Sequence, residues 1–332
     1  IQGSRWGSIS GLCFDENRSD ENRNLFIKKV LHEIQKLASR LLMGDRGCNH
    51  TLKTANLREG GVNAIKWAQR LKFHRILILM LLLTWAASIM AADIYVSPAG
   101  GGAGTPASPT DFQSALDTAR TNGEDDNIYL QQGFYDASTA GASTYLYDTT
   151  NNDNMKVVVT GGWNTDFTEQ TTDPTLTQLD GGGNARILEV LSNAPGVTVV
   201  FEIEYVTFQN GNVVGHPGPS PFDRGAGILA YSGVTGDGTL SLTVRHCRFA
   251  SNEVDSTPGS GTYGGGIYSA CDLEVAYCYF TDNWAMRGGG IWLNQDQGSP
   301  ATAPLVQNCI FEDNRASWDG GAIATPGTQP MI

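Results

Sequence analysis

Three segments of this chain carry the same letters at the same spacing. Leu242-x-Val244-x-x-Cys247-x-Phe249-x-x-Asn252 returns as Leu273-x-Val275-x-x-Cys278-x-Phe280-x-x-Asn283, and again as Pro304-x-Val306-x-x-Cys309-x-Phe311-x-x-Asn314. The step from one cysteine to the next is 31 residues both times. Each copy is followed by a glycine cluster closing on isoleucine: Gly264-Gly265-Gly266-Ile267, Gly288-Gly289-Gly290-Ile291 and Gly320-Gly321-Ala322-Ile323. A fixed period of this size marks a solenoid, in which each repeat buries its apolar face against its neighbours.

Leu-x-Val and Cys-x-Phe alternate with period two, as short strands with one buried face do. The two residues between them, Arg245-His246 or Ala276-Tyr277, are too few for a helical crossover and suit a corner. The Asn after each Phe suits a second corner, because Asn tolerates the left-handed backbone region. The glycines allow positive φ and close approach before Ile resumes an inward strand. Three short strands and three corners per period describe one coil of a parallel β-helix. The expected fold is therefore all-β, a parallel β-helix solenoid with an N-terminal cap containing a short helix. Coils stack about 4.8 Å apart, so Cys247, Cys278 and Cys309 should form one inward column and Phe249, Phe280 and Phe311 another. Asn252, Asn283 and Asn314 complete the ladder. An upstream copy, Phe201-x-Ile203-x-x-Val206-x-Phe208, replaces Cys by Val and ends on Asn210, with Gly225-Ala226-Gly227-Ile228 as its cluster. Val in the cysteine column argues that the thiols pack rather than react.

Composition divides the chain. Residues 66–92 read as a signal peptide: Lys66, Arg70, Lys72 and Arg75 lead into the apolar run from Ile76 to Leu83, and small residues follow to Ala92. Cleavage is expected near Ala91-Ala92, giving a secreted or outer-surface protein. Residues 1–65 are then a leader foreign to the mature protein, residues 93–156 the cap, and residues 157–332 the repeats, truncated at the C-terminus. Residues 92–332 hold 8 of the 22 Lys+Arg and 27 of the 34 Asp+Glu, a net charge of −19. That acidity argues against nucleic acid and anionic lipid as partners. The cysteines after the signal are Cys247, Cys271, Cys278 and Cys309, with no CxxC or Cys/His cluster to suggest zinc.

After the signal come Ile94-Tyr95-Val96-Ser97-Pro98-Ala99-Gly100, then the helical stretch Thr110 to Ala119, and then Asp126-Asn127-Ile128-Tyr129-Leu130. Thr110 and Gln113 have the spacing of a capping box. With Gly161-Gly162-Trp163 and Leu179-Asp180-Gly181-Gly182-Gly183 following, this order resembles secreted bacterial right-handed β-helix proteins of the pectate-lyase-like superfamily. The Phe-x-x-Asn and Gly-Gly-Ala/Gly-Ile repeats are similar to those of polymorphic outer membrane proteins. The resemblance covers roughly residues 93–332. It implies a right-handed solenoid, surface-exposed or secreted, in some members an adhesin exported as an autotransporter. Membrane attachment is then expected only through a segment beyond residue 332.

Many β-helix proteins of that superfamily cut acidic polysaccharides, so an enzyme is the competing reading. Lyase chemistry needs a base and cations to neutralise a uronate carboxylate. The repeats offer only scattered Arg224, Arg245, Arg248, Arg287 and Arg315, and no lysine. Asn164-Thr165-Asp166 matches the first motif of a polygalacturonase-like hydrolase, but the only Asp-Asp pair, Asp125-Asp126, precedes it. No catalytic residue is assigned. Asp282 and Asp313 recur at one repeat position, roughly 5 Å apart if stacked. That pair suits Ca²⁺ or an acid pair for glycoside cleavage, against the plainer reading of solvated corner carboxylates. No other cofactor is expected. Trp284 and Trp318 beside successive corners offer a sugar platform if exposed, while His216 and His246 receive no role. The expected function is a non-catalytic adhesin or envelope-structural module, with host or environmental glycans or surface proteins as partners.

Overall fold

The structure is a computed structural model that describes residues 91–140, 144–149, 155–213, 223–232, 239–254, 261–294 and 303–326. The expected leader, the expected signal peptide up to residue 90, and His216 lie outside the described residues. Among the described residues, no helix is long and apolar enough to cross a membrane.

Three parallel sheets run the length of the solenoid. The first holds seven strands: Ala92–Val96, Asp126–Gln131, Met155–Trp163, Thr198–Glu204, Thr239–Arg245, Asp272–Ala276 and Leu305–Gln307. The second holds Gly133–Asp136, Thr177–Asp180, Thr207–Gln209, Arg248–Ala250, Tyr279–Thr281 and Ile310–Glu312. The third holds Tyr145–Thr149, Leu188–Ser192, Ile228–Ser232, Ile267–Ala270, Ile291–Leu293 and Ile323–Ala324. The chain visits the sheets in rotation, one strand in each, which is a parallel β-helix of six coils. A fourth, short ladder pairs Trp284–Arg287 with Arg315–Asp319 between the second and third sheets, so the later coils have four straight segments rather than three.

Equivalent repeat positions are in register. Phe201, Leu242 and Leu273 are partners in the first sheet, as are Ile203, Val244, Val275 and Val306. Leu179, Phe208, Phe249, Phe280 and Phe311 align in the second sheet. Leu188, Ile228, Ile267, Ile291 and Ile323 align in the third. These side chains form the core, and the four phenylalanines stack with centroids 4.6–4.8 Å apart and planes within 9°. The glycine cluster makes room for them. Gly264 has φ +69°, and a Cβ on Gly266 would stand 2.6 Å from the Gly290 carbonyl and 3.1 Å from the Phe280 ring.

Two expectations need correction here. The solenoid starts earlier than residue 157, because Asp126–Gln131, Gly133–Asp136 and Tyr145–Thr149 already form a complete coil in register with the next. The cap is thus the strand Ala92–Val96 with the helix Phe112–Ala119. Nor is that helix capped by Thr110 and Gln113: Asp111 is the N-cap, its Oδ1 accepting the Ser114 N–H at 2.8 Å. Gln113 reaches instead to strand Tyr145–Thr149, at the edge of the third sheet. Its Nε2 donates to the Leu146 carbonyl and its Oε1 accepts the Leu146 N–H, at 3.0 and 2.8 Å. It satisfies that edge as a further strand would.

Candidate functional site

The ladder residues lie inside the solenoid. Cys247 and Cys278 are buried and Cys309 half-buried, all as free thiols. The Cys247 N–H points at Cys278 Sγ (3.5 Å) and the Cys278 N–H at Cys309 Sγ (3.4 Å). Each thiol also meets a backbone carbonyl of its own corner at 3.2–3.3 Å. Burial pushes the Cys278 thiol well above its ordinary range, and the off-column Cys271 up to about 12. Thiols held protonated in this way are poor nucleophiles.

The asparagines do not take the left-handed conformation expected of them. That place belongs to the preceding residue: Ser251, Asp282 and Asp313, with φ of 53–56°. Asn252 and Asn283 are fully buried, and their side chains tie coil to coil. Asn283 Oδ1 accepts the Asn252 N–H (3.1 Å) and Nδ2 (2.9 Å), while Asn283 Nδ2 donates to the Phe249 carbonyl (3.0 Å). Asn314 repeats the pattern on Asn283 and the Phe280 carbonyl. The irregular upstream copy now makes sense. Asn210 takes the left-handed position at φ 53°, and Gly211, in the ladder position, donates its N–H to Asn252 Oδ1 at 2.9 Å.

Asp282 and Asp313 are exposed at this corner. Thr281 Oγ1 donates to Asp282 Oδ2 at 3.1 Å. Among the described residues, no group of three or more His, Cys, Asp or Glu side chains gathers as metal ligands do. A Ca²⁺ ion here would have to draw its remaining ligands from carbonyls and water. Trp284 and Trp318 form no platform, since Trp284 is in register with Arg315. Trp318, 65 % exposed, instead has the Arg287 guanidinium 5.1 Å from its ring centre, and Arg287 also pairs with Asp319 at 3.2 Å. Asn164-Thr165-Asp166 is a tight loop in which Asn164 Oδ1 accepts the Thr168 and Glu169 N–H groups, so its side chain is engaged locally.

Sequence reasoning passed over the first corner. Tyr205, His246, Tyr277 and Asn308 occupy equivalent places between the Leu-x-Val and Cys-x-Phe strands, all with φ of 51–59°. Three rings stack there: Tyr205 on His246 at 5.2 Å and His246 on Tyr277 at 4.9 Å, with Tyr277 55 % exposed. The recurrence of a ring-bearing residue immediately before Cys or Val was the available signal. Beside this stack is a cleft of about 410 Å³, walled on one side by residues 172–175 and on the other by His246, Cys247, Arg248, Tyr277 and Tyr279. The first wall belongs to a long excursion of the second coil. Asp173 caps the short helix Pro174–Leu176, its Oδ1 accepting the Thr175 N–H (2.9 Å) and hydroxyl (2.7 Å). Those bonds hold its carboxyl below the usual carboxylate range. The Pro174 carbonyl accepts the Thr207 hydroxyl at 2.9 Å, anchoring the excursion to the next coil.

The outer face of the first sheet is charged, and its cations are paired. Lys156 pairs with Glu202 (3.2 Å), and Arg245 bridges Glu204 (3.6 Å) and Glu274 (3.1 Å).

Against known proteins, residues 308–326 match the repeat of the Chlamydia polymorphic membrane proteins. This stretch runs from the first corner of the sixth coil through Phe311, Asn314 and the Gly-Gly-Ala-Ile cluster. No curated protein and no solved structure matches the chain.

Proposed function

We propose that this chain is a bacterial surface protein whose β-helix displays binding flanks without catalysis, as an adhesin or envelope-structural module. The observation that carries the reading is the coincidence of the matched repeat with a structural unit. Residues 308–326 contain the Cys, Phe and Asn of one coil, and the same lettering builds the two coils before it. Side chains that sequence repeats most strictly are spent inside, on packing and on the amide ladder, which leaves the outer faces to vary as recognition surfaces do. The first-sheet flank supports the non-catalytic half. Its cations, Lys156 and Arg245, are each engaged by glutamates, whereas uronate cleavage needs a free base and uncompensated positive charge.

The test has two arms. In a bacterial host expressing the full chain, protease added to intact cells should remove the protein. Protection equal to that of a periplasmic marker would exclude surface display. Purified protein should release no unsaturated products or reducing ends from polygalacturonate or alginate, with or without Ca²⁺. Turnover abolished by Asp282→Ala or Arg287→Ala would establish a polysaccharide lyase or glycosidase instead.

A further inference from the structure

We propose that the first-corner cleft binds a sugar unit bearing a carboxylate, with Arg248 receiving the carboxylate and Tyr277 and Tyr279 packing on the ring. This deepens the surface-binder reading and rests on it for its biological setting, though not for its chemistry.

Charge is the leading observation. Residues 92–332 contain eight Lys+Arg among 27 Asp+Glu. In a chain so rich in acids, six of the eight lie within 4 Å of a carboxylate: Arg120, Lys156, Arg186, Arg224, Arg245 and Arg287. Among the described residues, Arg248 and Arg315 have none. Arg315 is exposed on the short fourth ladder, but Arg248 is half-buried in the cleft wall, and among the described residues its buried Nε has no hydrogen-bond partner. Its guanidinium lies 5.9 Å from the Tyr279 ring centre. A guanidinium partly withdrawn from water and lacking a counter-charge is poised to hold a carboxylate by donating two parallel hydrogen bonds to it.

The surroundings narrow the ligand. Tyr277 has His246 against one face, and among the described residues no ring covers the other. A pyranose presents an apolar C–H face suited to such a ring. On the opposite wall Asp173 has Oδ1 taken by Thr175, and among the described residues no donor meets Oδ2, so it can accept sugar hydroxyls. A cleft of 410 Å³ falls at the small end of ligand sites, about 300–1,000 Å³, which suits one or two sugar rings rather than a polymer or a folded partner. Glu312, bonded to the Tyr279 hydroxyl, stands nearby. Together with Asp173 it disfavours an extended polyanion and favours a single acidic unit.

The experiment uses the full 332-residue chain and calorimetric titration with glucuronate, sialyllactose and lactose at physiological salt. Both carboxylated sugars should bind about tenfold or more tightly than lactose, the discrimination a charge-assisted pair provides. Arg248→Gln should bring them to the lactose level, Tyr277→Ala should weaken all three, and Arg315→Gln should change nothing. Circular dichroism of each variant guards against misfolding. Equal affinity for lactose, acid preference retained in Arg248→Gln, or no binding up to roughly 10 mM would overturn the proposal. Because the titration is done on purified protein, it can fail while surface display holds, and the converse.

Discussion

At the scale of single residues, the structure separates packing from polar bonding with unusual clarity. Phe280 lies between Phe249 and Phe311 with no exposed surface. Its truncation to Ala should cost about 3–5 kcal/mol in denaturant unfolding, the usual range for a buried aromatic. Asn283→Ala removes less volume but strands the Asn252 N–H and the Phe249 carbonyl, each bonded to its amide. At about 1–3 kcal/mol per stranded group, its loss should equal or exceed that of many buried aliphatic truncations, and Asn283→Asp should not rescue it. Asp126 predicts a pH dependence. It is 1 % exposed, and although Asn122 donates to its Oδ1 at 2.7 Å, its Oδ2 is unpartnered. Burial raises its pKa from 3.8 to about 7, with Glu124 and Asp125 adding to the rise. The folded state therefore holds this proton more tightly than the unfolded state. Stability from this group is full below about pH 4 and is lost as pH climbs through 7. Asp126→Asn should flatten that slope and raise the melting temperature at pH 8, as read by thermal scans at several pH values.

At the scale of elements, the sequence was legible where the period is undisturbed. Leu242 pairs with Leu273, 31 residues on, and the columns from there could be named from lettering alone. Upstream the same register steps are Val157 to Phe201 and Phe201 to Leu242, 44 and 41 residues. Excursions at the corners lengthened those coils and hid the repeat, while the first coil, 31 residues from the second at Asp126 to Val157, lacks the Cys-x-Phe-x-x-Asn lettering and so passed for a cap. The cleft was illegible for the same reason, since one wall is such an excursion and the other is a column of unlike residues. The corner itself was misassigned by one position, because Asn fits both the left-handed turn and the ladder, and only hydrogen bonding decides between them. Gln113 was taken for a helix-capping residue, yet its partner is the edge of the third sheet. Gln113→Ala should leave the fold intact but uncover the Leu146 backbone. Self-association that rises with concentration, measured by sedimentation, is the expected outcome for an exposed strand edge.

At the scale of the whole molecule, stability is a sum over neighbouring coils. Deleting residues 248–278 joins Cys247 to Tyr279 and preserves the lettering, so the shortened protein should still melt cooperatively, at a lower temperature. A deletion of half that length should abolish the transition, because every later strand would face the wrong sheet. A protein tolerating both equally would not be built from these coils. The excision also removes Arg248 and Tyr277, so the shortened protein should lose the carboxylated-sugar preference while staying folded.

The asparagine ladder has a direction. Each amide reaches toward the cap: Asn252 to the Phe208 carbonyl, Asn283 to Phe249, Asn314 to Phe280. A newly added coil thus brings its own fastener, and the coil beneath meets it with a backbone N–H, a backbone carbonyl and its own side-chain amide. The last coil laid down always carries an amide oxygen already engaged below and a backbone N–H at the Asn position still waiting for the next. On such a track each coil completes the bonding of its predecessor and presents a backbone N–H to its successor. Every bond of the ladder is thus made between adjacent coils, and none requires a coil to meet a distant part of the chain.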